Sequence, residues 1–178
     1  SGVCDSLFSN VVTITVDPIA VAGSISGSTT VCYGTNSSVL TLNGYFGTIQ
    51  WQSSTTSASA GFSNVQDSTA TTFTADNLNA TTYYRAVLTS GVCSATSAAA
   101  TITVSPATVA GTATGDTTVC ASGNSSVLTL NGYVGDIQWQ RSTTSSTSGF
   151  SNVSGATSAS YTASNLTTTT YFRARVKS

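Results

Sequence analysis

An internal repeat limits the fold of this chain more strongly than any other feature of its sequence. A shift of 88 residues places Trp51 on Trp139, and 44 of the 74 positions compared between residues 17–90 and 105–178 are identical. Shared composition alone would not produce so many identities. The period suits a tandem array of small domains and is far longer than that of a β-solenoid.

The limits of the chain do not coincide with the limits of the repeat. Residues 1–16 resemble the end of the first repeat, 90–104, so we assign them as the final strand of a preceding repeat. Residues 17–104 then form one complete repeat, and residues 105–178 form a second repeat that lacks its last strand. We expect residues 1–16 to donate an edge strand to the truncated repeat of another molecule, to pack back on this chain, or to complete a circularly permuted unit.

Composition and apolar spacing both favour β-strands. Charged residues make up 6% of the chain, and strong helix formers are nearly missing, with no Glu, no Met and one Lys. Residues 37–44 and 48–54 alternate apolar and polar side chains with a period of two. Further segments predicted as strands are 61–65, 71–75, 81–89 and 97–104. The residues predicted to face the core are Leu40, Leu42, Trp51, Leu128, Leu130 and Trp139.

The position of the tryptophan in each repeat indicates a particular sandwich. A buried tryptophan on the third strand is typical of the immunoglobulin-like arrangement, and Trp51 and Trp139 have this position. The sequence therefore predicts an all-β fold made of tandem immunoglobulin-like β-sandwich repeats of about 88 residues.

Four cysteines, two in each repeat unit, suggest disulfides formed in an oxidising compartment. The candidates are Cys4, Cys32, Cys93 and Cys120. In an immunoglobulin-like domain Cys32 and Cys93 would lie at opposite ends, beyond the reach of a disulfide. Three pairings stay open. The first is a disulfide between successive repeats, with the partner of Cys32 beyond residue 178. The others are a Cys32–Cys93 bond, if the first strand folds differently, and the boundary pairs Cys4–Cys32 and Cys93–Cys120.

The sequence contains no group of residues suited to catalysis or metal binding. His and Glu are absent, the six Asp residues lie on separate predicted turns, and the serines lack a base to activate them. Neither a Cys-x-x-Cys pair nor the Asp spacing of a calcium loop occurs. We expect a protein that is not an enzyme and has no cofactor. Arg85 and Arg173 are expected on the outer face, beside Tyr83 and Tyr171.

The charge distribution gives no indication of binding to nucleic acid or to an anionic membrane. The net charge is -1, and the five basic residues are scattered. No apolar run approaches the roughly 18 residues that span a bilayer, and no signal segment opens the sequence. We expect neither a nucleic-acid partner nor direct membrane insertion.

Several motifs follow one another in the same order in both repeats. These are TTVC, NSSVLTL, IQWQ, GFSNV and TTY followed by RA, with SGVCS and TITV after them in the first repeat. The order resembles the immunoglobulin-like and PKD-like repeats of surface proteins of the Bacteroidota, and most closely those of the giant gliding-motility adhesins of flavobacteria. The resemblance covers the whole chain.

This resemblance implies a long extracellular filament anchored at the outer membrane, exported by the type IX secretion system and moved along the cell by a rotary motor. Its implied partners are neighbouring repeats of the same chain and a surface polysaccharide or other substratum. The resemblance also implies O-glycans at a Ser or Thr that follows an Asp. The candidate attachment sites are Ser6, Ser68 and Thr117.

We therefore expect a repetitive stalk or adhesive segment of a cell-surface filament used in attachment and gliding motility. The alternative is a spacer or carbohydrate-binding module of a type IX-secreted enzyme. Such a module would need an exposed row of aromatic side chains, whereas Trp51 and Trp139 alternate with glutamines and are predicted to be buried.

Overall fold

The computed structural model describes residues 2, 4–5 and 7–178. These residues form strands, turns and extended segments and contain no helix, and so none that could cross a membrane. The strands of the first repeat are Ser24–Ser26 (β1), Thr29–Cys32 (β2), Ser37–Asn43 (β3), Thr48–Ser54 (β4), Ser63–Asn64 (β5), Thr72–Asp76 (β6), Thr82–Ser90 (β7), Cys93–Thr96 (β8) and Ala100–Ser105 (β9). The strands of the second repeat are Thr112–Thr114 (β10), Ser125–Asn131 (β11), Asp136–Ser142 (β12), Ser151–Asn152 (β13), Ser160–Ser164 (β14) and Tyr171–Lys177 (β15).

The side chains of these strands alternate between buried and partly exposed positions, as β7 shows. In β7, Thr82, Tyr84, Ala86 and Leu88 are buried, whereas each residue between them is partly exposed. Such a period of two places one face of a strand on the core and leaves the other face near solvent. β7 thus corresponds to the predicted segment 81–89.

Two sheets form the first repeat. One has the order β1-β3-β6, and the larger has the order β2-β9-β7-β4-β5 with β8 also paired to β7. In the larger sheet β4 and β7 are antiparallel, with Trp51 opposite Ala86. β2 and β9 run parallel, with Thr29 opposite Ile102.

Aromatic side chains connect the two sheets of the first repeat. The ring centroid of Trp51 on β4 lies 5.6 Å from that of Phe73 on β6, and Phe73 lies 5.0 Å from Tyr84 on β7. The buried indole nitrogen of Trp51 donates a hydrogen bond to the carbonyl of Ala70 at 2.8 Å, so burial leaves it with a polar partner. The predicted β-sandwich is confirmed.

The second repeat has the same core with fewer strands. Its sheets have the orders β10-β11-β14 and β13-β12-β15. Trp139 lies opposite Ala174, which matches the register of β4 and β7. The Trp139 ring lies 6.2 Å from Tyr161, and its Nε1 donates to the carbonyl of Ser158 at 2.9 Å. The chain is therefore a tandem pair of one sandwich design.

Contacts divide the chain into two compact units. One unit contains residues up to Ser28, Val39–Thr74 and Tyr83–Thr101. The other contains Thr29–Ser38, Ala75–Thr82 and Ile102–Ser178. The second unit thus includes the whole second repeat and three short segments of the first, residues 29–38, 75–82 and 102–104.

Residues 7–16 belong to no strand. Their apolar side chains are 80–95% exposed and comprise Leu7, Phe8, Val11, Val12, Ile14 and Val16. The chain is fixed to the first repeat from Asp17 onward, whose Oδ2 accepts a hydrogen bond from the Val92 N–H at 3.0 Å. Residues 7–16 therefore neither pack back on this chain as a strand nor complete a permuted unit, and their donation to another molecule stays a prediction.

Candidate functional site

The two repeats differ at one edge of the sandwich, where the first repeat has β9. β9 lies between β2 and β7. Its residues Ala100 and Ile102 point inward and are 4% and 0% exposed. The Val104 N–H also donates to Thr81 Oγ1 at 3.2 Å. β9 therefore closes the core of the first repeat on this side.

The second repeat has an open groove at the equivalent edge. The groove has a volume of about 290 Å³, and its apolar lining includes Leu128, Trp139, Ala163 and Phe172. One border of the groove is β15, which pairs in its sheet with β12 alone. Because the other edge of β15 is unpaired, its backbone groups there are open to a further strand. We call this feature the open groove.

A tetrapeptide shared by the two repeats shows how this edge affects local structure. Thr-Thr-Val-Cys at Thr29–Cys32 forms β2 and pairs parallel with β9. The same tetrapeptide at residues 117–120 belongs to no strand, and Val119 is 38% exposed. Since the sequences are identical, the neighbouring strand and not local propensity decides the conformation.

Side chains beside the open groove are also less buried than their counterparts. Leu40 is completely buried in the first repeat, whereas Leu128 at the same position is only partly buried. Ala86 and Ala174 differ in the same way. Leu128 packs against the buried core of the second repeat, as predicted, but it is only partly buried there. The other predicted core residues, Leu42, Trp51, Leu130 and Trp139, are buried.

A row of polar and aromatic side chains recurs on the outer face of both repeats. Arg85 Nε donates to Gln52 Oε1 at 2.8 Å, and Gln52 Nε2 donates to Asn64 Oδ1 at 2.8 Å. The guanidinium of Arg85 lies 4.1 Å from the centroid of the Phe62 ring, and Arg173 makes the equivalent contacts in the second repeat. The aromatic partners are thus Phe62 and its counterpart, where tyrosines were expected. Since the polar groups bond to one another, the row favours a structural role.

An asparagine side chain connects two loops in each repeat, and sequence reasoning did not identify it. Asn36 Nδ2 donates to the carbonyls of Cys32 and Leu78, both at 2.8 Å, and its Oδ1 accepts from the Leu78 N–H at 2.9 Å. Asn124 makes the same three bonds in the second repeat. The available signal was that this asparagine is identical in both repeats.

The four cysteines form no disulfide in the structure. Cys32 ends β2 opposite Ser105, and Cys93 begins β8 opposite Ser90 at the far end of β7. The nine residues of β7 extend roughly 30 Å, which far exceeds the reach of a disulfide. The Cys32–Cys93 pairing is therefore wrong, whereas the other two pairings stay predictions. Within the described residues no group of three or more His, Cys, Asp or Glu side chains could hold a metal ion.

The three candidate glycosylation sites have different surroundings. Ser6 lies outside the described residues. Ser68 is half-buried in a turn, and its Oγ donates to the carbonyl of Gln66 at 3.1 Å. Thr117 is exposed and lines the open groove. Of the two described sites, Ser68 belongs to the first repeat and Thr117 to the second.

Comparison with known proteins finds one domain family. The sequence pattern of a domain of unknown function, DUF8696, matches residues 21–106 and again residues 109–178. These two matches cover most of the chain and coincide closely with its two repeats. No curated protein matches the chain.

Proposed function

We propose that this chain, which belongs to the DUF8696 family and contains two of its domains in tandem, is a repetitive stalk and adhesive segment of a secreted cell-surface filament. The filament serves in attachment and gliding motility, and its array is exported by the type IX system and anchored at the outer membrane. Its partners are neighbouring repeats and a surface polysaccharide or other substratum.

The observation that carries this proposal is the agreement between the two repeats at the level of single atoms. The tryptophan, the asparagine and the arginine row bond to partners at equivalent positions, at nearly the same distances, in both copies. Because the same internal contacts stabilise each repeat, further copies can be added to an array without changes to the contacts inside the repeat.

The surface of the chain supports weak and repeated contact. Only 6% of the residues are charged, and exposed serines and threonines surround both cores. Hydroxyl-rich surfaces form hydrogen bonds with carbohydrate, and many identical weak contacts add up through effective concentration. The fully buried Trp51 and Trp139 do not provide the stacking surface of a dedicated carbohydrate-binding module.

Two modifications belong to this proposal. O-glycans at Ser6, Ser68 and Thr117 would increase the hydration of the surface and shield the backbone from proteases. Disulfides that involve Cys4, Cys32, Cys93 and Cys120 would form between successive units and stiffen the filament.

Live imaging of the source bacterium with a fluorescent antibody against this chain tests the proposal. Label that travels along the cell body and binds beads or glass supports a motor-driven adhesin. Label that stays fixed, or that occurs only in the medium, contradicts the gliding role.

A further inference from the structure

The two repeats carry opposite charges although their sequences are closely similar. The first repeat, residues 17–104, contains three aspartates and one arginine, so its formal charge is -2. The second repeat, residues 105–178, contains two aspartates, three arginines and one lysine, so its formal charge is +2. The low net charge of the whole chain therefore conceals a basic second repeat.

Three of these cations lie on one side of β15. Arg173, Arg175 and Lys177 are exposed, whereas the residues that alternate with them are partly buried and pack against the core. Alternate residues of a strand are about 7 Å apart, so the three positions form a line roughly 13 Å long. We call these three side chains the basic face. The first repeat has Arg85, Val87 and Thr89 at the same positions, so it lacks two of the three cations.

Neighbouring strands hold Arg173 in this line. Its Nε donates to Gln140 Oε1 at 2.8 Å, and its guanidinium lies 4.1 Å from the centroid of the Phe150 ring. Within the described residues its side chain makes no other hydrogen bond, so both Nη groups remain as donors. The contacts that give the polar row its structural role therefore also position one cation of the basic face before a ligand arrives.

The basic face is accessible whether or not further strands follow Ser178. In the first repeat β8 pairs with residues 87–90 of β7. Val87 and Thr89, the equivalents of Arg175 and Lys177, are nevertheless partly exposed and exposed. A strand at this edge therefore widens the sheet and leaves the outer side of the neighbouring strand uncovered.

We propose that the basic face binds an acidic polysaccharide, a linear polymer whose sugars carry carboxylate groups. This inference rests on the proposed function and names the class of its polysaccharide partner. Guanidinium groups bind carboxylates through two parallel, charge-assisted hydrogen bonds. A line of cations along a strand also suits a polymer with charges at regular intervals better than it suits a compact anion.

The surroundings of the basic face favour a sugar polymer over nucleic acid or an anionic membrane. Gln138 lies opposite Arg175, and its Nε2 donates to two backbone carbonyls, so its Oε1 remains as an acceptor for a sugar hydroxyl. Phe150 is half-buried beneath Arg173 and is therefore not a stacking surface for a base. Surfaces that bind membranes combine cations with apolar side chains, whereas side-chain amides lie beside the basic face.

Surface plasmon resonance with polygalacturonate, a carboxylated polysaccharide, tests this proposal. We expect the wild-type chain to bind polygalacturonate at low ionic strength and to bind it less strongly as salt is added, because salt screens exposed charges. Dextran, which is uncharged, should not bind. The thermal unfolding midpoint of each variant described below shows whether it is folded.

Two single substitutions separate the basic face from the net charge of the repeat. Arg175→Val introduces the residue of the first repeat at this position and should weaken binding about tenfold. Arg141→Ser removes the same charge and also introduces the first-repeat residue, Ser53. Arg141 lies opposite the core-facing Phe172 and thus on the other side of the sheet. This control should bind almost as strongly as the wild type.

Transfer of the basic face to the first repeat gives an independent test. Val87→Arg together with Thr89→Lys completes the line that Arg85 begins, so the amount of polygalacturonate bound at saturation should increase. Ser24→Arg with Ser26→Lys is the control, because it adds the same two charges at exposed positions of β1 in the other sheet. This control should leave the amount bound near the wild-type value.

Failure of this proposal differs from failure of the proposed function. A wild-type chain that does not bind polygalacturonate, or equal losses in Arg175→Val and Arg141→Ser, would overturn the basic face as a binding site. Equal gains in the two double variants would do the same, as would tighter binding to single-stranded DNA or to phosphatidylserine vesicles. Label that travels along the cell would still support the adhesive filament in each of these cases.

Discussion

Asn36 and Asn124 show how a single polar residue can organise each repeat. Each amide bonds two carbonyls and one backbone N–H, and these groups belong to loops 42 residues apart in the sequence. Because loop backbone groups that leave water need partners, these bonds fix the two loops together.

Replacement of Asn36 by alanine removes three hydrogen bonds and leaves the Leu78 N–H and carbonyl without this partner. We expect Asn36→Ala to lower the free energy of unfolding by about 2 kcal/mol. Urea denaturation followed by tryptophan fluorescence measures this change. Asn43→Ala is the control, because the Asn43 side chain is exposed and makes only longer bonds, of 3.2 and 3.3 Å. Equal effects of the two substitutions would contradict the role given to Asn36.

At the scale of strands and turns, the connection between β3 and β4 depends on two glycines with different requirements. Gly44 has a φ of 64° and open space where a Cβ would stand. Gly47 has a φ of 120°, and a Cβ there would come within 2.8 Å of the Thr89 carbonyl oxygen on the neighbouring β7. The backbone of β7 cannot move without loss of its pairing with β4.

The two glycines should therefore respond differently to alanine. We expect Gly44→Ala to cost about 1 kcal/mol of unfolding free energy, the strain of a left-handed non-glycine residue. Gly47→Ala should cost more than about 2 kcal/mol, because backbone overlap adds to the strain. Thermal unfolding of both variants under the same conditions checks the order, and a larger loss for Gly44→Ala would show that the turn is packed differently.

β9 is the element that distinguishes a closed repeat from an open one. Extension of the chain after Ser178 with residues 91–105 should raise the unfolding free energy of the second repeat by at least about 2 kcal/mol, through burial of one isoleucine and of the groove lining. Chemical denaturation measures the gain. The same extension with Asp in place of the Ile102 equivalent is the control, and a gain that survives this change would not come from closure of the groove.

At the scale of the whole molecule, sequence patterns predicted the fold well because the relevant signals are local or repeated. The alternation around Leu42 and Trp51 locates β3 and β4, and the shift of 88 residues transfers both strands to the second repeat. Pairing between distant segments was not predictable in this way. β2 has a weak pattern of its own and is a strand only because β9 lies beside it.

The candidate site was predicted only in outline. The resemblance of residues 1–16 to the end of a repeat left three arrangements open, and nothing in the sequence showed a groove or the partial exposure of Leu128. The contact of Arg85 with Phe62 was missed because it depends on β5, β4 and β7 as neighbours in one sheet. Burial and register are properties of the assembled sandwich, so they emerge only at this scale.

Hydrogen exchange at the two identical Thr-Thr-Val-Cys segments, read by mass spectrometry, tests most directly that a final strand closes each repeat. In residues 1–178 alone, Thr29–Cys32 should exchange slowly because β9 pairs with it. Residues 117–120 should exchange quickly there, and they should become protected in the chain extended after Ser178 with residues 91–105. Equal protection of both segments without the extension, or fast exchange at 117–120 with it, would contradict closure by a final strand.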